Sequence, residues 1–414
     1  MTPYSEVFAL LFALLPTATV GLHGAELHAL LPSTPHEVVR FGGVPASKAS
    51  TLSLTVDTHG HSLIVDLKRH ATLYHPDYEH IVVHPDGSVV SREPADDHCI
   101  YTGTIYDSSD VKREAAAGDA ILSVCGGDVE GRLRIGETHD LSVSPHPSGD
   151  GSHLVMHHAD WGKAIGTEEW SCGVDDEDEH ADAHLREEER RRLEGVAGHG
   201  RNHGHGHDHH QHSQHDHFDQ HVAFPAPQRR RLGINPPGYV EPGNTNKYVE
   251  IIIVNDYARC QAFLNDGKTL SDMTTRSAGI MSVVHGLYQS GYTGAPNMEY
   301  SIHFSIRAQV SFAHGDPYTA DAYSGNAAEV DVDSLLAKFG EWRVDSKASG
   351  AIPDHDNAQL FSGLDFGAST VGYAPVSAMC MSSATHGINM ARVTSTDSQT
   401  AGTVAHELGH NWGM

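Results

Sequence analysis

Two neighbouring stretches near the beginning of the chain alternate apolar and polar positions. LSLTVD (52–57) and HSLIVDL (61–67) each place every second side chain on one apolar face, and THG (58–60) separates them. A period of two is typical of half-buried strands, and a short connection containing glycine is typical of a hairpin. Short β-like runs and turns continue over about 25–170, which predicts a β-rich N-terminal region.

The second half of the chain contains longer apolar patterns. YVEIIIVND (248–256) is β-branched and predicts a central strand. The alternation in 301–310 predicts a half-buried strand, and TVGYAPV (370–376) predicts another. Helical spacing marks 267–290, 331–344 and 396–413, of which the second opens with aspartates that can cap a helix. Strands that alternate with long helices predict an α/β sheet domain.

The composition changes abruptly between these two regions. Residues 174–195 are nearly all charged, and 199–221 contain ten histidines among glycines. Such a segment has little to bury and is predicted to be disordered, as a solvated linker rather than a weak metal-binding tract. The exposed basic residues 229–231 that follow predict cleavage before Leu232 by a processing protease. A solvated basic patch stays the alternative, because Gln228 breaks the stronger R-x-x-R pattern.

Charge and the N-terminal residues narrow the class of protein. The 414 residues include 27 Lys and Arg against 54 Asp and Glu, a net charge of −27 that argues against nucleic acid or an anionic membrane as partner. The apolar run 7–22 predicts a secretory signal peptide over 1–24, with a buried helix as the alternative because no basic residue precedes it. No later run reaches about 18 apolar residues, so no transmembrane helix is expected.

The most specific chemical signal is HELGHNWGM (406–414). His406 and His410 are four apart, which puts both imidazoles on one helix face as a zinc ion requires, and Glu407 lies beside them as a candidate base. Hydrolytic zinc sites use three protein ligands and a water, and only two ligands are visible. Gly413 tolerates a positive φ, and a reversal there could bring a third histidine, expected at position 416 beyond Met414, to the metal.

The segment from Lys247 onward resembles the catalytic domain of the ADAM/reprolysin family of metzincin zinc proteases. The resemblance rests on KYVEIIIVND (247–256), HDNAQLFSG (355–363), TVGYAPVSAMC (370–380) and AHELGHNWGM (405–414). HCIYTGTI (98–105) and AILSVCGGDVEGRLRI (120–135) resemble the family's propeptide. The resemblance implies a mixed twisted sheet with an active-site helix. The expected organisation is a signal peptide (1–24), a β-rich propeptide (25–173), a disordered linker (174–246) and a C-terminally incomplete catalytic domain (247–414).

The resemblance also implies roles for individual residues. His406 and His410 become Zn²⁺ ligands and Glu407 the catalytic base, while Glu250 and Asp356 become ligands of a Ca²⁺ ion.

The cysteines number five, so an oxidising compartment leaves one thiol free or paired outside the chain. The family pattern implies a Cys99–Cys125 disulfide and makes Cys172, in WSCGV, a cysteine switch that occupies the open zinc position. The Trp-Ser flank departs from that pattern. Cys380 lacks its usual downstream partner and Cys260 has no counterpart, so a Cys260–Cys380 bridge stays open.

The sequence therefore predicts a secreted zymogen of a zinc-dependent endopeptidase that cleaves extracellular or cell-surface proteins. One alternative is a non-catalytic, truncated form with an incomplete zinc site that acts by binding or inhibition. Another is a secreted metal-binding protein that uses the histidine tract. The intact base favours catalysis, because a protein that only binds has no need of one. Substrate preference lies in pocket walls that the motif does not encode.

Overall fold

The computed structural model describes residues 35–172 and 246–413 with short gaps, at 46–48, 85, 87, 95–98, 137, 159, 161–170, 290–300, 320–329, 368–369 and 380. The predicted signal peptide, the histidine-rich linker and the basic residues 229–231 lie outside the described residues. The described residues all fall within one compact unit.

The described elements are named here in chain order. The strands are β1 (Glu37–Val39), β2 (Thr51–Thr58), β3 (His61–Arg69), β4 (Tyr74–Val83), β5 (Val89–Pro94), β6 (Ile100–Asp107), β7 (Ala116–Cys125), β8 (Asp128–Ile135), β9 (His139–Pro145), β10 (His153–His157), β11 (Ser171–Cys172), β12 (Asn246–Asn255), β13 (Ser301–Ser311), β14 (Asn357–Ser362), β15 (Thr370–Tyr373) and β16 (His386–Met390). The helices are α1 (Tyr257–Asn265), α2 (Leu270–Leu287), α3 (Val332–Ala348) and α4 (Asp397–Trp412).

One sheet consists of N-terminal strands alone. Its order is β1-β10-β9-β8-β7-β6-β3-β2, and every neighbouring pair is antiparallel. The predicted hairpin is confirmed as β2 and β3, with Leu54 opposite Val65. Alternate side chains such as Leu54, Val65 and Leu122 are fully covered in its core, and a Cys99–Cys125 disulfide joins the beginning of β6 to the end of β7.

The second sheet is mixed and has the order β11-β15-β16-β14-β12-β13-β4-β5. Strands β13, β12, β14 and β16 are parallel neighbours, whereas β15 runs antiparallel to β16. The predicted central strand is confirmed as β12. The α/β fold class with a mixed sheet and a motif-bearing helix is confirmed as well.

Both edges of this mixed sheet come from the N-terminal part of the chain, which the sequence did not indicate. β4 pairs parallel with β13 and antiparallel with β5, while β11 pairs parallel with β15 at the opposite edge. The strand β13 is consequently more buried than the half-buried strand its alternation predicts.

The helices cover both faces of the mixed sheet. On one face, α2 and α4 pack through Ile280, Val404 and Leu408 onto Ile251 and Ile253 of β12. On the other face, α3 packs against the alternate β12 side chains through Leu335 and Phe339. Burial on both faces explains the uninterrupted apolar run of β12, since each such side chain contributes about 1.5–3 kcal/mol when fully covered.

The ends of the helices follow their capping residues. α2 and α4 begin with capping boxes, Thr269 with Asp272 and Thr396 with Gln399, and the predicted aspartate cap of α3 is confirmed at Asp331. The predicted strand at 370–376 ends earlier, at Tyr373, because Pro375 has no N–H to continue the ladder. Among the helices of the described residues, none is both long and apolar enough to cross a membrane.

Candidate active site

Helix α4 carries the HExxH motif and is held firmly along its buried side. Ala401, Val404 and Leu408 are completely covered in the core that α4 shares with α2. The Tyr288 hydroxyl donates a hydrogen bond to the backbone oxygen of Ala405, at 2.6 Å, in the middle of the helix. These contacts fix the face on which His406 and His410 lie.

The two histidines meet as their spacing predicts. Their Nε2 atoms are 3.0 Å apart and the rings are perpendicular, with His406 exposed and His410 half-buried. Two nitrogens bound to one tetrahedral zinc at about 2.0–2.1 Å lie roughly 3.3 Å apart, so this pair fits a zinc ion with little movement. In the part of the chain that the structure describes, no three His, Cys, Asp or Glu side chains converge to hold a metal. The pair therefore supplies two ligands.

The Glu407 side chain lies under strand β15 and is 1% exposed. A Cβ atom built on Gly372 of β15 would lie 2.4 Å from Glu407 Oε1, so only glycine leaves room for the carboxylate there. The β15 backbone therefore passes directly over the candidate base. The sequence analysis did not single out Gly372, because a glycine in a short strand carries no signal of what approaches it.

The end of α4 is fixed by a turn and two backbone hydrogen bonds. Gly413 adopts φ 77°, which confirms the left-handed conformation expected of it. A Cβ on Gly413 would lie 2.4 Å from Ser377 Oγ. The N–H groups of Ser377 and Met379 donate to the backbone oxygens of His410 and Asn411, at 2.7 and 2.8 Å. The segment after β15 is thus bonded to the helix at its second histidine.

A row of buried side-chain amides connects the sheet to α4. Asn389 donates to Gln359 (2.9 Å), Gln359 to Asn357 (2.7 Å), and Asn357 to Asn411 (2.6 Å). Asn411 donates in turn to the backbone oxygens of Pro375 and His386, at 2.9 and 3.1 Å. All four amides are 0% exposed. Sequence reasoning missed this row, although polar residues inside the otherwise apolar strand β14 were a signal for it.

Cys172 lies at the edge of the sheet beside the active site. The backbone of β11 pairs with β15 so that Cys172 is opposite Gly372, the residue that covers Glu407. Paired strands are about 4.8 Å apart, so the N-terminal region reaches the site itself. Nothing is described of the Cys172 side chain.

Cys260 lies away from the active site. Its thiol is free and completely covered, within a small cluster that contains Phe263 and Met273. The structure therefore does not form the Cys260–Cys380 bridge that the sequence left open, and Cys380 itself lies outside the described residues. Burial raises the pKa of the Cys260 thiol to about 12, which makes it unreactive at neutral pH.

Glu250 and Asp356 are direct neighbours, although they are 106 positions apart. The Glu250 N–H donates to Asp356 Oδ2, and the Asp356 N–H donates to the Glu250 backbone oxygen, both at 2.9 Å. The Glu250 carboxylate is also 3.6 Å from the His75 ring of the N-terminal region. The two residues predicted as calcium ligands thus share one partly solvated site.

An HExxH helix under a mixed sheet, joined to a β-rich N-terminal region, defines a zinc-metalloprotease class of site. Comparison with known families agrees in both parts of the chain. Residues 325–414 match the Reprolysin (M12B) family zinc metalloprotease, and residues 25–106 match the Reprolysin family propeptide. The ADAM/reprolysin resemblance is confirmed, because the propeptide model and the catalytic-domain model of that family each match one part of the chain.

Individual relatives are similar along most of the chain. Human (Homo sapiens) disintegrin and metalloproteinase domain-containing protein 19 is 26% identical over 365 residues, which is 87% of this chain and 30% of that protein. A zinc metalloproteinase-disintegrin-like protein of Cerberus rynchops is 24% identical over 389 residues, 93% of this chain and 50% of that protein. The chain therefore spans 30% to 50% of the length of these relatives.

Among solved structures, metalloproteinase-II from Bacteroides fragilis matches 88% of this chain and 81% of its own, at 13% identity. The TM-score of 0.30 is too low to establish a common fold.

Proposed function

We propose that the protein is the secreted zymogen of a zinc endopeptidase that hydrolyses peptide bonds of extracellular or cell-surface proteins. The observation that carries the proposal is the arrangement on α4, where two imidazole nitrogens lie 3.0 Å apart and a covered carboxylate lies between them in sequence. A structural helix needs neither feature. His406 and His410 would hold the zinc together with a third ligand.

The chemistry follows from the positions of these side chains. When zinc is bound, it lowers the pKa of a coordinated water to about 7 and polarises the scissile carbonyl. Glu407 accepts the proton of the attacking water and returns it to the leaving amine. Its covered position beneath Gly372 removes competing water and strengthens its interactions with charge.

The substrate would bind along the outer edge of β15, once β11 has left it. An extended peptide can add to a sheet edge by backbone hydrogen bonds, which suits an endopeptidase that accepts internal bonds. In the zymogen this edge is paired with β11. That pairing supports latency, with Cys172 taking the open zinc position until the propeptide is removed.

Three further features belong to the proposal. Secretion would follow from the signal peptide, and maturation from cleavage by a processing protease at Arg229–Arg231. Calcium would bind at Glu250 and Asp356, two neighbouring residues whose carboxylates are the kind of oxygen ligand that this ion prefers.

The decisive experiment is Glu407→Gln in the natural full-length protein after propeptide removal. Loss of the base should lower peptide cleavage by about 10²–10⁴-fold and leave zinc content unchanged, because the amide keeps the shape. Glu341→Gln is the matched control, since Glu341 is an exposed carboxylate on α3 that pairs with Lys338. Full turnover by Glu407→Gln would contradict the assigned chemistry.

A further inference from the structure

The first turn of α4 contacts the propeptide at a point remote from the histidines. The Asp397 N–H donates to Glu130 Oε1 of β8 at 3.1 Å. The Ser398 hydroxyl donates to the backbone oxygen of Gly131 at 3.0 Å. The first N–H groups of a helix have no partner within the helix, so the propeptide supplies an acceptor that α4 itself lacks.

The cation beside this contact belongs to the catalytic segment. Arg276 Nε donates to Asp397 Oδ1 at 2.9 Å, and its Nη1 donates to the Val393 oxygen at 2.6 Å. Its Nη2 donates to the Ser395 oxygen and lies 3.8 Å from Glu130 Oε1. Because all but one of these contacts are with residues 393–397, Arg276 is positioned without the propeptide.

The contact is closely packed. The Glu130 side chain is 20% exposed and that of Asp397 is 2% exposed. A Cβ on Gly279 of α2 would lie 2.9 Å from Asp397 Oδ2, and one on Gly286 would lie 2.1 Å from Ile121 Cδ1 of the propeptide. A carboxylate with so little solvent needs specific partners, and a helix N-terminus with an adjacent guanidinium provides them.

We propose that Arg276 and the N-terminal end of α4 form a binding site for a carboxyl group, that Glu130 of the propeptide is its occupant, and that its occupancy is linked to proton uptake. This α4-end site holds the propeptide independently of the zinc. The proposal rests on the proposed function only in treating 25–173 as a propeptide separable from 247–414.

The sign of the proton linkage follows from the surroundings of Glu130. Loss of solvent and the charge of Asp397 raise the pKa of the Glu130 carboxyl from 4.5 to about 7, and Arg276 opposes this only in part. The docked propeptide therefore holds a proton that the released propeptide loses between these two pH values. Docking through Glu130 is strongest below pH 4.5 and weakens as pH rises to about 7, by at most about tenfold per pH unit.

Other charged groups act on the same equilibrium. Arg259 of α1 and Asp266 act electrostatically on Arg276 but do not leave with the propeptide. His80 and His158 of the propeptide lie next to Ser311 and Gly402 of the catalytic segment, and burial lowers the pKa of both. Their protonation opposes docking at acidic pH. The effect of Glu130 must therefore be measured as a difference between variants.

The experiment uses the full chain with a site-specific protease sequence inserted within 199–221. After cleavage there, the urea concentration that releases half of the propeptide is measured by size exclusion from pH 5 to pH 8. The readout does not depend on catalysis, so a chain without protease activity would still give an answer.

Glu130→Gln keeps the shape and the N–H acceptor but cannot titrate. It should hold the propeptide only up to about fourfold more tightly than wild type at pH 5, and up to about two hundredfold more tightly at pH 7.5, in dissociation constant. Glu130→Ala removes the acceptor and should hold the propeptide less tightly than Glu130→Gln at every pH, and less tightly than wild type at pH 5. Asp66→Asn is the control, because Asp66 pairs with Arg113 inside the propeptide.

Each outcome decides one part of the proposal. Equal pH profiles for wild type and Glu130→Gln would exclude the proton linkage. Unchanged release of Glu130→Ala at pH 5 would exclude the carboxylate site itself. Misfolding of a variant would be visible as loss of co-elution before urea is added. Hydrogen exchange of the Asp397 amide gives a second test, in the uncleaved chain at pH 8. Slower exchange in wild type than in Glu130→Gln would also contradict the proposal.

Discussion

The two edges of the mixed sheet are both occupied by strands from the N-terminal part of the chain, but in very different ways. At the β15 edge the contact is the two-residue strand Ser171–Cys172, which lies opposite the glycine that covers Glu407. At the β13 edge the contact is the ten-residue strand Tyr74–Val83, with β5 paired outside it. A two-residue pairing can open at the cost of a few hydrogen bonds, whereas a long one cannot.

The long pairing is also part of the hydrophobic core. Ile81 and Val83 are 0% and 3% exposed, in the same cluster as Val310 of β13 and Phe339 of α3. Burying such side chains contributes about 1.5–3 kcal/mol each. From this comparison we expect the β13 edge to attach the N-terminal part to the rest of the chain, and the β15 edge to be the one that can open beside Glu407.

The largest effect should come from the attached edge. We expect Ile81→Ala to lower the free energy of unfolding of the zymogen by about 2–5 kcal/mol, because it leaves a cavity in a shared core. Urea unfolding measures this. Val90→Ala on β5, where the side chain is 48% exposed, should change stability by less than about 0.5 kcal/mol. Equal effects of the two substitutions would show that β4 is not part of that core.

The second effect concerns the closing edge. Gly372→Ala would place a Cβ 2.4 Å from Glu407 Oε1 and displace the base. We expect kcat/KM of the mature, full-length enzyme to fall by about a hundredfold with zinc content retained, since small misplacements cost that much. Gly402→Ala is the control, because outside its own helix its Cβ would meet, among the described residues, only His158 of the propeptide, at 3.7 Å. Undiminished kcat/KM in Gly372→Ala would mean that the carboxylate is not so confined.

A smaller change in activity is expected when β11, at the β15 edge, loses the thiol of Cys172. With Arg229–Arg231 replaced by alanines to prevent cleavage, Cys172→Ala should raise the peptidase activity of the full-length proform severalfold and leave its unfolding midpoint unchanged. Cys260→Ala, which removes a covered thiol far from the site, should give no activation. If activity does not change, the propeptide blocks the edge by backbone pairing alone.

The smallest effect is a pH dependence at the attached edge. His80 Nε2 is 2.9 Å from Ser311 Oγ, and burial lowers the pKa of this histidine. A lowered pKa in the folded state means that stability is complete above the ordinary value of 6.5 and is lost as pH falls below it. The unfolding midpoint of the zymogen should therefore decrease from pH 7.5 to pH 5, and His80→Gln should reduce that decrease. If the unfolding midpoint of His80→Gln fell more steeply with pH than that of wild type, His80 would not be the source of this pH dependence.

Much of the catalytic segment could be predicted because its signals are local. The run around Ile251–Ile253, the capping aspartate of α3 and the φ of Gly413 each follow from neighbouring residues. The histidine pair follows from helical geometry alone. The resemblance to one protease family added the Cys99–Cys125 pair and the expected order of propeptide and catalytic domain.

What could not be predicted depends on contacts between distant residues. The pairing of β4 with β13 joins positions more than 200 apart, and nothing local in Tyr74–Val83 distinguishes it from strands of the first sheet. Glu130 likewise looks like a surface carboxylate until Arg276 and Asp397 are placed beside it. Helix α1 is short and buries few side chains, Cys260 and Phe263 among them. Too few apolar positions recur at helical spacing there for the sequence to predict a helix.

In the buried row of amides each NH₂ group donates to the next amide oxygen, and the orientation of the whole row is set at Asn411. Two backbone carbonyls, of Pro375 and His386, can only accept hydrogen bonds, so Asn411 must present its NH₂ group to them. Its oxygen then faces Asn357, which fixes the orientation of Asn357 and, in turn, of Gln359 and Asn389. Reversing any one amide would set oxygen against oxygen or NH₂ against NH₂ among side chains that are 0% exposed. Asn411, the residue after the second histidine of the motif, therefore has one orientation in which all three of these hydrogen bonds form. The amides of β14 and β16 take their orientation from it.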